Sequence, residues 1–167
     1  AIIDDALALG RGAQPPERRE LVDLSALVAS DIAHRDHSRV TSDTTMRGGR
    51  ALVDGDPVAL RRLVANLVDN AVRFGETSRV TVIGTADSVF LTVDDDGPGI
   101  PEAHRTIVFE PFFRADPSRS RATGGSGLGL AISKQIVEAH GGRIAAEASP
   151  LGGARLIVTL PAARRSS

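Results

Sequence analysis

An α+β fold, with helices on one face of a largely antiparallel sheet, is what the order of periodic segments predicts. Residues 57–74 repeat apolar side chains at about 100° per residue, the period of a helix with one buried face. A second helix over about 128–140 runs into Gly141-Gly142, a helix stop. Strands near 79–85 and 88–94, joined by a tight turn at Ala86-Asp87, and two more at 143–148 and 154–160 supply the sheet. That order fits a two-layer α/β sandwich with a mixed, mostly antiparallel sheet.

The remaining elements follow in chain order. Residues 1–9 read as the end of a helix, stopped by Gly10 and Gly12, and Gln14-Pro15-Pro16-Glu17 reads as a linker. Leu21 to Leu24 is a short strand, after which Ser25 can cap a helix reaching about His34. Residues 39–42 and 51–53 are short strand candidates. Asp54-Gly55-Asp56 reads as a turn, and Pro57 suits the first helical position. Along 57–74, Leu60, Leu63, Val64, Leu67, Ala71 and Phe74 form one stripe, with Asn66, Asn70 and Arg73 beside it, and Gly75 ends the helix. Residues 95–127 are aperiodic and rich in Gly, Pro, Arg and Ser, which points to a lid. The expected division is a helix end and linker over 1–16, one domain over 17–163, and a tail at 164–167.

Composition narrows the chemistry. At 167 residues, 41% of them hydrophobic, the chain has enough apolar material for one core. A net charge of −1 argues against a dedicated nucleic-acid binder or a polybasic membrane patch. With no cysteine, disulfides, thiolate catalysis and Cys-based zinc sites are excluded. Of the 20 basic residues only Lys134 is a lysine, and it follows Ser133, so there is no Walker-type phosphate loop. No apolar run is long enough to span a bilayer.

Three segments carry candidate chemistry. Asn66 and Asn70 share a helix face; their amide oxygens are hard, neutral ligands that suit Mg²⁺, and Arg73 can reach the same phosphates. Asp94-Asp95-Asp96-Gly97-Pro98-Gly99-Ile100 ends a strand in carboxylates and turns on glycine. One buried carboxylate there can accept a hydrogen bond from an exocyclic amine, and the glycines let backbone lie against a flat ring. Alternation sends neighbouring carboxylates to different faces, which disfavours a cation cluster. Gly124-Gly125-Ser126-Gly127-Leu128-Gly129-Leu130 feeds a helix N-terminus, whose free N–H groups suit an anion. Between the last two lies Phe109-Glu110-Pro111-Phe112-Phe113-Arg114, with apolar anchors for a lid and mobile cations in Arg114, Arg119 and Arg121.

Taken together, Asn-x₃-Asn, Asp-x-Gly-x-Gly-Ile, Phe-Glu-Pro-Phe-Phe-Arg and Gly-x-Gly-Leu-Gly-Leu, in that order, resemble the N, G1, F and G2 boxes of bacterial sensor histidine kinases. The resemblance covers residues 21–161 and implies the Bergerat fold, with ATP and Mg²⁺ as ligands. It implies that Asn70 holds Mg²⁺ and that Asn66 supports phosphate or metal-bound water. It implies that Arg73 is a phosphate contact and that Phe74 packs on adenine. Asp95 resembles the carboxylate that reads the adenine amine, with Gly97, Gly99 and Ile100 as the pocket turn and wall. Arg114 and Arg119 resemble lid residues that meet the γ-phosphate. Gly125, Gly127 and Gly129 resemble the phosphate loop, with Leu128 and Leu130 beside the nucleotide and Thr159 on the adenine-side water network.

The resemblance departs at one point. A phospho-acceptor box of the Ser-His-Glu-Leu-Arg-Thr-Pro kind is absent, and His34, His37, His104 and His140 read as structural or surface residues. Residues 1–9 resemble instead the tail of a dimerisation-hairpin helix. The implied chain is a catalytic ATP-binding domain, monomeric alone and soluble in the cytoplasm. Its parent would be a membrane-anchored homodimer. The implied activity is transfer of the ATP γ-phosphoryl to a histidine on the separate dimerisation domain, for relay to an Asp of a response regulator. Two other readings remain: a serine kinase of the anti-sigma-factor type on the same fold, and a nucleotide-sensing module without catalysis.

Overall fold

In chain order the computed structural model places α1 at Ile2–Gly10, β1 at Glu20–Asp23, α2 at Leu24–Ala33, β2 at Val40–Asp43 and β3 at Leu52–Gly55. Then come α3 at Pro57–Phe74, β4 at Ser78–Gly84, β5 at Ser88–Asp95, α4 at Gly129–Ala139, β6 at Arg143–Ala148 and β7 at Ala154–Pro161. Residues 2–10, 14–35, 39–43, 50–114 and 126–164 are described, the side chains of Ile2, Ser42 and Asp43 excepted. Arg119, Arg121, Gly125 and His37, singled out above, lie outside the described residues.

The main sheet runs β2-β4-β5-β7-β6, antiparallel at every step except the parallel β2–β4 pair, while β1 and β3 form a separate antiparallel pair. Period-two burial fixes which face meets the helices. Val80 and Val82, Val89, Leu91 and Val93, and Leu156, Val158 and Leu160 all point into the core. Against them α3 lays Leu60, Leu63, Val64, Leu67, Val68 and Ala71. Burying each such Leu or Val contributes on the order of 1.5–3 kcal/mol. No helix among the described residues is long and apolar enough to cross a membrane.

The two central helices are pinned to each other at both ends. Near the N-terminus of α4, the Asn66 amide donates to the Gly129 carbonyl at 3.3 Å. At the opposite end His140, buried at 4% exposure, accepts the Asp56 N–H on Nε2 at 3.0 Å. Its Nδ1 lies 2.7 Å from the Ile136 carbonyl, so Nδ1 carries the proton and the ring is the neutral tautomer. Helix α1 lies across the same pair: Arg62 pairs with Asp5, and the Gln135 amide donates to the Leu9 carbonyl at 3.1 Å.

Three local expectations are corrected. Ser25 does not cap α2. Asp23, two residues earlier, accepts from the Ser25 and Ala26 N–H groups, and the buried Ser25 hydroxyl has no partner among the described residues. Asp54-Gly55 is not a turn, because β3 continues through Gly55 to pair with Glu20; Asp56 alone turns the chain, capping the Val58 and Ala59 N–H groups, with Pro57 in the first helical turn. Phe74 leaves the apolar stripe: it is 46% exposed in the last turn of α3, and Val68 takes the buried place.

Leu67→Ala, at a fully buried position, lowers unfolding free energy by roughly 2–5 kcal/mol, and Val58→Ala, on the exposed start of α3, changes it by less than about 0.5 kcal/mol. Urea denaturation of both variants checks the contrast; equal midpoints would contradict this core.

Candidate functional site

Three adjacent carboxylates at the end of β5 have three separate tasks. Asp94 points to the sheet face away from the helices. There it takes a two-pronged bond from Arg155, at 2.8 and 3.0 Å, and the Ser149 hydroxyl at 2.8 Å. Asp96 reaches the turn after α3, accepting from the Glu76 and Thr77 N–H groups at 2.8 and 2.9 Å and from the Thr77 hydroxyl at 2.7 Å. Those N–H donors, the Thr77 backbone first, hold the Asp96 carboxyl below the usual carboxylate range. No cluster of acidic or imidazole side chains able to hold a metal exists among the described residues.

Asp95 is the carboxylate left for a ligand. It follows Val89, Leu91 and Val93 in parity, so it points to the helix side, and it is 3% exposed. Its Oδ1 accepts the Gly97 N–H at 2.9 Å and the Ala154 N–H at 3.1 Å. Both bonds fall on one oxygen, so Oδ2 keeps its acceptor capacity. Burial pushes this carboxyl above the ordinary aspartate value, against the pull of the two N–H groups; the Asp96 and Asp94 charges push the same way as burial.

Gly153 makes that arrangement possible. A Cβ on Gly153 would collide with Asp95 Oδ1 and stand 2.5 Å from the Gly97 nitrogen, while the Gly153 N–H donates to the Asp95 carbonyl at 3.0 Å. The Gly152-Gly153-Ala154 turn is therefore part of the site. In the sequence Gly152-Gly153-Ala154 closes the family pattern just before the last strand, and its contact with Asp95 is not readable there. Gly97 makes a second close approach: a Cβ there would lie 2.5 Å from the Phe74 carbonyl oxygen, so the glycine turn packs directly on the end of α3.

The helix end beside this turn carries half-buried Asn70 and exposed Arg73 and Phe74. Asn66, one turn earlier, is tied through Gly129 to the start of α4. Ser133, fully buried, bonds the same Gly129 carbonyl at 2.8 Å. Gly99 and Gly127 have left-handed φ of 77° and 70°. Ile100 and Leu130 are partly buried against the core. In the Phe-rich segment only Phe109 is buried. Phe113 meets His104 edge-on at 5.4 Å, and exposed Phe112, at φ 63°, donates its N–H to the Gly127 carbonyl at 3.0 Å. Arg114 lies beside Gly127.

Two expected contacts are corrected. Thr159 shares the outer sheet face with Arg155, opposite to Asp95, and stands four residues along β7 from the Asp94 register partner, roughly 13 Å. It does not belong to the pocket. Leu128 is fully buried, so it presents no surface to a ligand in this structure.

Residues 55–164 match the family of histidine kinase-, DNA gyrase B-, and HSP90-like ATPases. The sensor histidine kinase CpxA of Escherichia coli K12 is 45% identical over 113 residues, 67% of this chain and 25% of that protein. The chain thus spans about a quarter of that curated relative. Among solved structures, the mycobacterial sensor histidine kinase MprB superposes with a TM-score of 0.72 at 32% identity, over 89% of this chain and all of that one. The ATP-binding domain of PrrB from Mycobacterium tuberculosis gives 0.70 at 29% identity, over 88% and 99%.

The raised Asp95 value has a consequence for stability. Its proton binds more tightly in the folded chain than in the unfolded one, so stability present below the unfolded value is lost as pH rises through the folded value. Asp95→Asn keeps an acceptor for both N–H groups and removes the charge. The variant melts at or above the wild-type temperature at pH 7, and its advantage shrinks toward pH 4. Thermal melts across that range check it; a variant that loses ground as pH rises would contradict the desolvation account.

Proposed function

We propose that this chain, which belongs to the family of histidine kinase-, DNA gyrase B-, and HSP90-like ATPases, is the ATP-binding kinase part of a sensor histidine kinase. One observation carries the reading. A carboxylate out of solvent, with one oxygen locked by two backbone N–H groups and the other left over, sits where the end of α3 meets a glycine turn. Oδ2 accepts the adenine amine, and exposed Phe74 offers a flat apolar surface to the ring. Asn66, Asn70 and Arg73, with the free N–H groups at the start of α4, face the triphosphate, and Arg114 lies beside Gly127; Arg119 and Gly125, outside the described residues, keep the phosphate roles that the resemblance implies. The named kinases among the relatives favour this reading over a serine kinase on the same fold.

Asn70 fits Mg²⁺: its carboxamide oxygen is a hard neutral donor, suited to an ion that keeps its waters and shares phosphate oxygens. Bound there, the ion would neutralise charge on the phosphates. The protein's own part is positioning and positive potential. Arg73 and the N-terminus of α4 draw the phosphate tail into line, and Asn66, tied to Gly129, keeps the two helices in register. The incoming nucleophile is an imidazole nitrogen on a separate dimerisation hairpin. Its lone pair forms the N–P bond, the bond to the bridging oxygen of ADP breaks, and the ring N–H proton is released. Imidazole needs no strong general base, which agrees with a neutral Asn66 in place of a carboxylate. His140 has both nitrogens engaged within the fold and His34 lies against Ser30, so neither reads as the acceptor. Helix α1 reads as the tail of the hairpin and residues 17–163 as the catalytic unit. The parent reads as an anchored homodimer that hands the phosphoryl group to a response-regulator Asp.

Calorimetric titration tests the pocket. Asp95→Asn replaces the acceptor Oδ2 with a donor and weakens Mg·ATP binding by roughly ten- to a hundredfold; unchanged affinity removes Asp95 from the site. ATP hydrolysis by the chain alone stays far below about 10 s⁻¹, and a turnover near that value would contradict the absence of a water-activating base. Radiolabelled ATP added to the chain and a separately purified hairpin domain of its parent leaves acid-labile, alkali-stable label on the hairpin. Asn70→Ala abolishes that label, and labelling on serine would favour the other kinase class.

A further inference from the structure

Arg39 lies upstream of residues 55–164 and outside all four boxes, yet its side chain reaches the end of the helix that carries Asn70 and Arg73. Nη2 donates to the Val72 carbonyl at 3.1 Å and the Gly75 carbonyl at 2.8 Å, and Nε donates to the Glu76 carbonyl at 3.3 Å. A helix leaves its last carbonyls unpaired and its C-terminus partially negative; a guanidinium answers both. Arg39 is itself fixed to the sheet, because its own carbonyl accepts the Ser78 N–H at 2.9 Å and the Ser78 hydroxyl at 3.3 Å.

The same short turn is gripped from the other side. Asp96 takes the N–H groups of Glu76 and Thr77 while Arg39 takes the carbonyls of Gly75 and Glu76. Arg35, at the end of α2, adds an ion pair to Asp69, the residue before Asn70. The last turns of α3 are thus set by cationic groups from the α2–β2 segment. Asp95 has a different support, since its bonds come from Gly97 and Ala154 and none from Arg39.

We propose that Arg39 is a positioning residue for the phosphate end of the nucleotide site: its clamp on the turn after α3 sets where Asn70 and Arg73 stand relative to Asp95. This role, which rests on the nucleotide reading above, predicts that the two ends of the ligand respond differently when the clamp is removed. Loss of Arg39 lets the last turn of α3 fray and shift, and displacements of about 1 Å at a positioned group are costly. The base end keeps the Asp95 carboxylate, held by Gly97 and Ala154, and loses only what Phe74, in the same turn, adds to the ring.

The test titrates the full chain with Mg·ATP by calorimetry and with adenosine by chemical shift. Arg39→Ala weakens Mg·ATP about tenfold or more and weakens adenosine by a clearly smaller factor, the part that Phe74 supplies. Arg143→Ala, on the far edge of the sheet, changes neither. Arg39→Lys, which keeps the charge but offers an ammonium in place of a three-carbonyl fork, restores part of the loss, and it carries the test if the alanine variant does not fold. Combined with Asn70→Ala, the Arg39→Ala loss is less than additive; combined with Asp95→Asn it adds. Wild-type Mg·ATP affinity in Arg39→Ala, or equal loss for both ligands, overturns the assignment while the nucleotide reading stands. A wild-type chain that binds no Mg·ATP overturns both.

Discussion

Asp95 sits out of solvent at the end of β5, and a carboxylate there is unfavourable unless its lone pairs are met. Two backbone N–H groups, from Gly97 and Ala154, meet one oxygen. Each donor imposes its own geometric demand. The Gly97 bond needs the chain to turn back within two residues, which presses Gly97 onto the Phe74 carbonyl. The Ala154 bond needs the start of β7 to pass so close that residue 153 has no room for a Cβ. A single buried charge therefore ties together a strand end, a hairpin turn 58 residues downstream of Asp95 (Gly153 less Asp95) and the end of α3. Burial still leaves its carboxyl raised, so the fold gives up some stability to hold a carboxylate out of solvent with one oxygen uncommitted to those donors.

That tie matters because α3 and α4 form the other wall. Asn66 to Gly129 at one end and His140 to Asp56 at the other fix the two helices along their shared length. The core side chains of α3 then fix both helices to the sheet. Asn70 and Arg73 come from α3 and Asp95 from β5, and the bonds of Asp96 to the turn after α3, with Gly97 against the Phe74 carbonyl, join the two elements directly. Rigid placement of this kind is what phosphoryl transfer asks of a protein, since its barrier is lowered mainly by alignment and charge.

Much of this was legible in the residues. The 3.6-residue period of α3, Pro57 at its start and the period-two strands gave the layers, because burial of one face dominates those segments. The carboxylates of 94–96 were readable as diverging, since parity alone sends Asp94 and Asp95 to opposite faces. Parity could also have excluded Thr159, which alternates with the core residues Val158 and Leu160. What remained hidden was long-range and mediated by backbone. Ser25 and Asp23 compete for one cap, and only the path of β1 decides between them. The Gly153 contact depends on β7 lying beside β5, which no local pattern specifies. Arg39 bonds to carbonyls, and carbonyls carry no sequence signature.

The chemistry of α3's polar stripe follows from what must lie against it. On the proposed reading the site receives a triphosphate, a concentrated negative charge, beside an aspartate already raised by burial and, to a smaller extent, by its acidic neighbours. A further carboxylate at residue 66 or 70 would repel the phosphates and raise Asp95 again. Carboxamides avoid both costs: they supply oxygen donors without charge, and the Asn66 N–H₂ group also closes the bond to Gly129. A carboxylate at residue 66 would lose that bond, because it has no donor to offer the carbonyl. In this chain a neutral residue at position 66 is therefore demanded twice, by helix packing and by electrostatics. The lack of a water-activating base there follows from the same physical choice that holds α3 to α4.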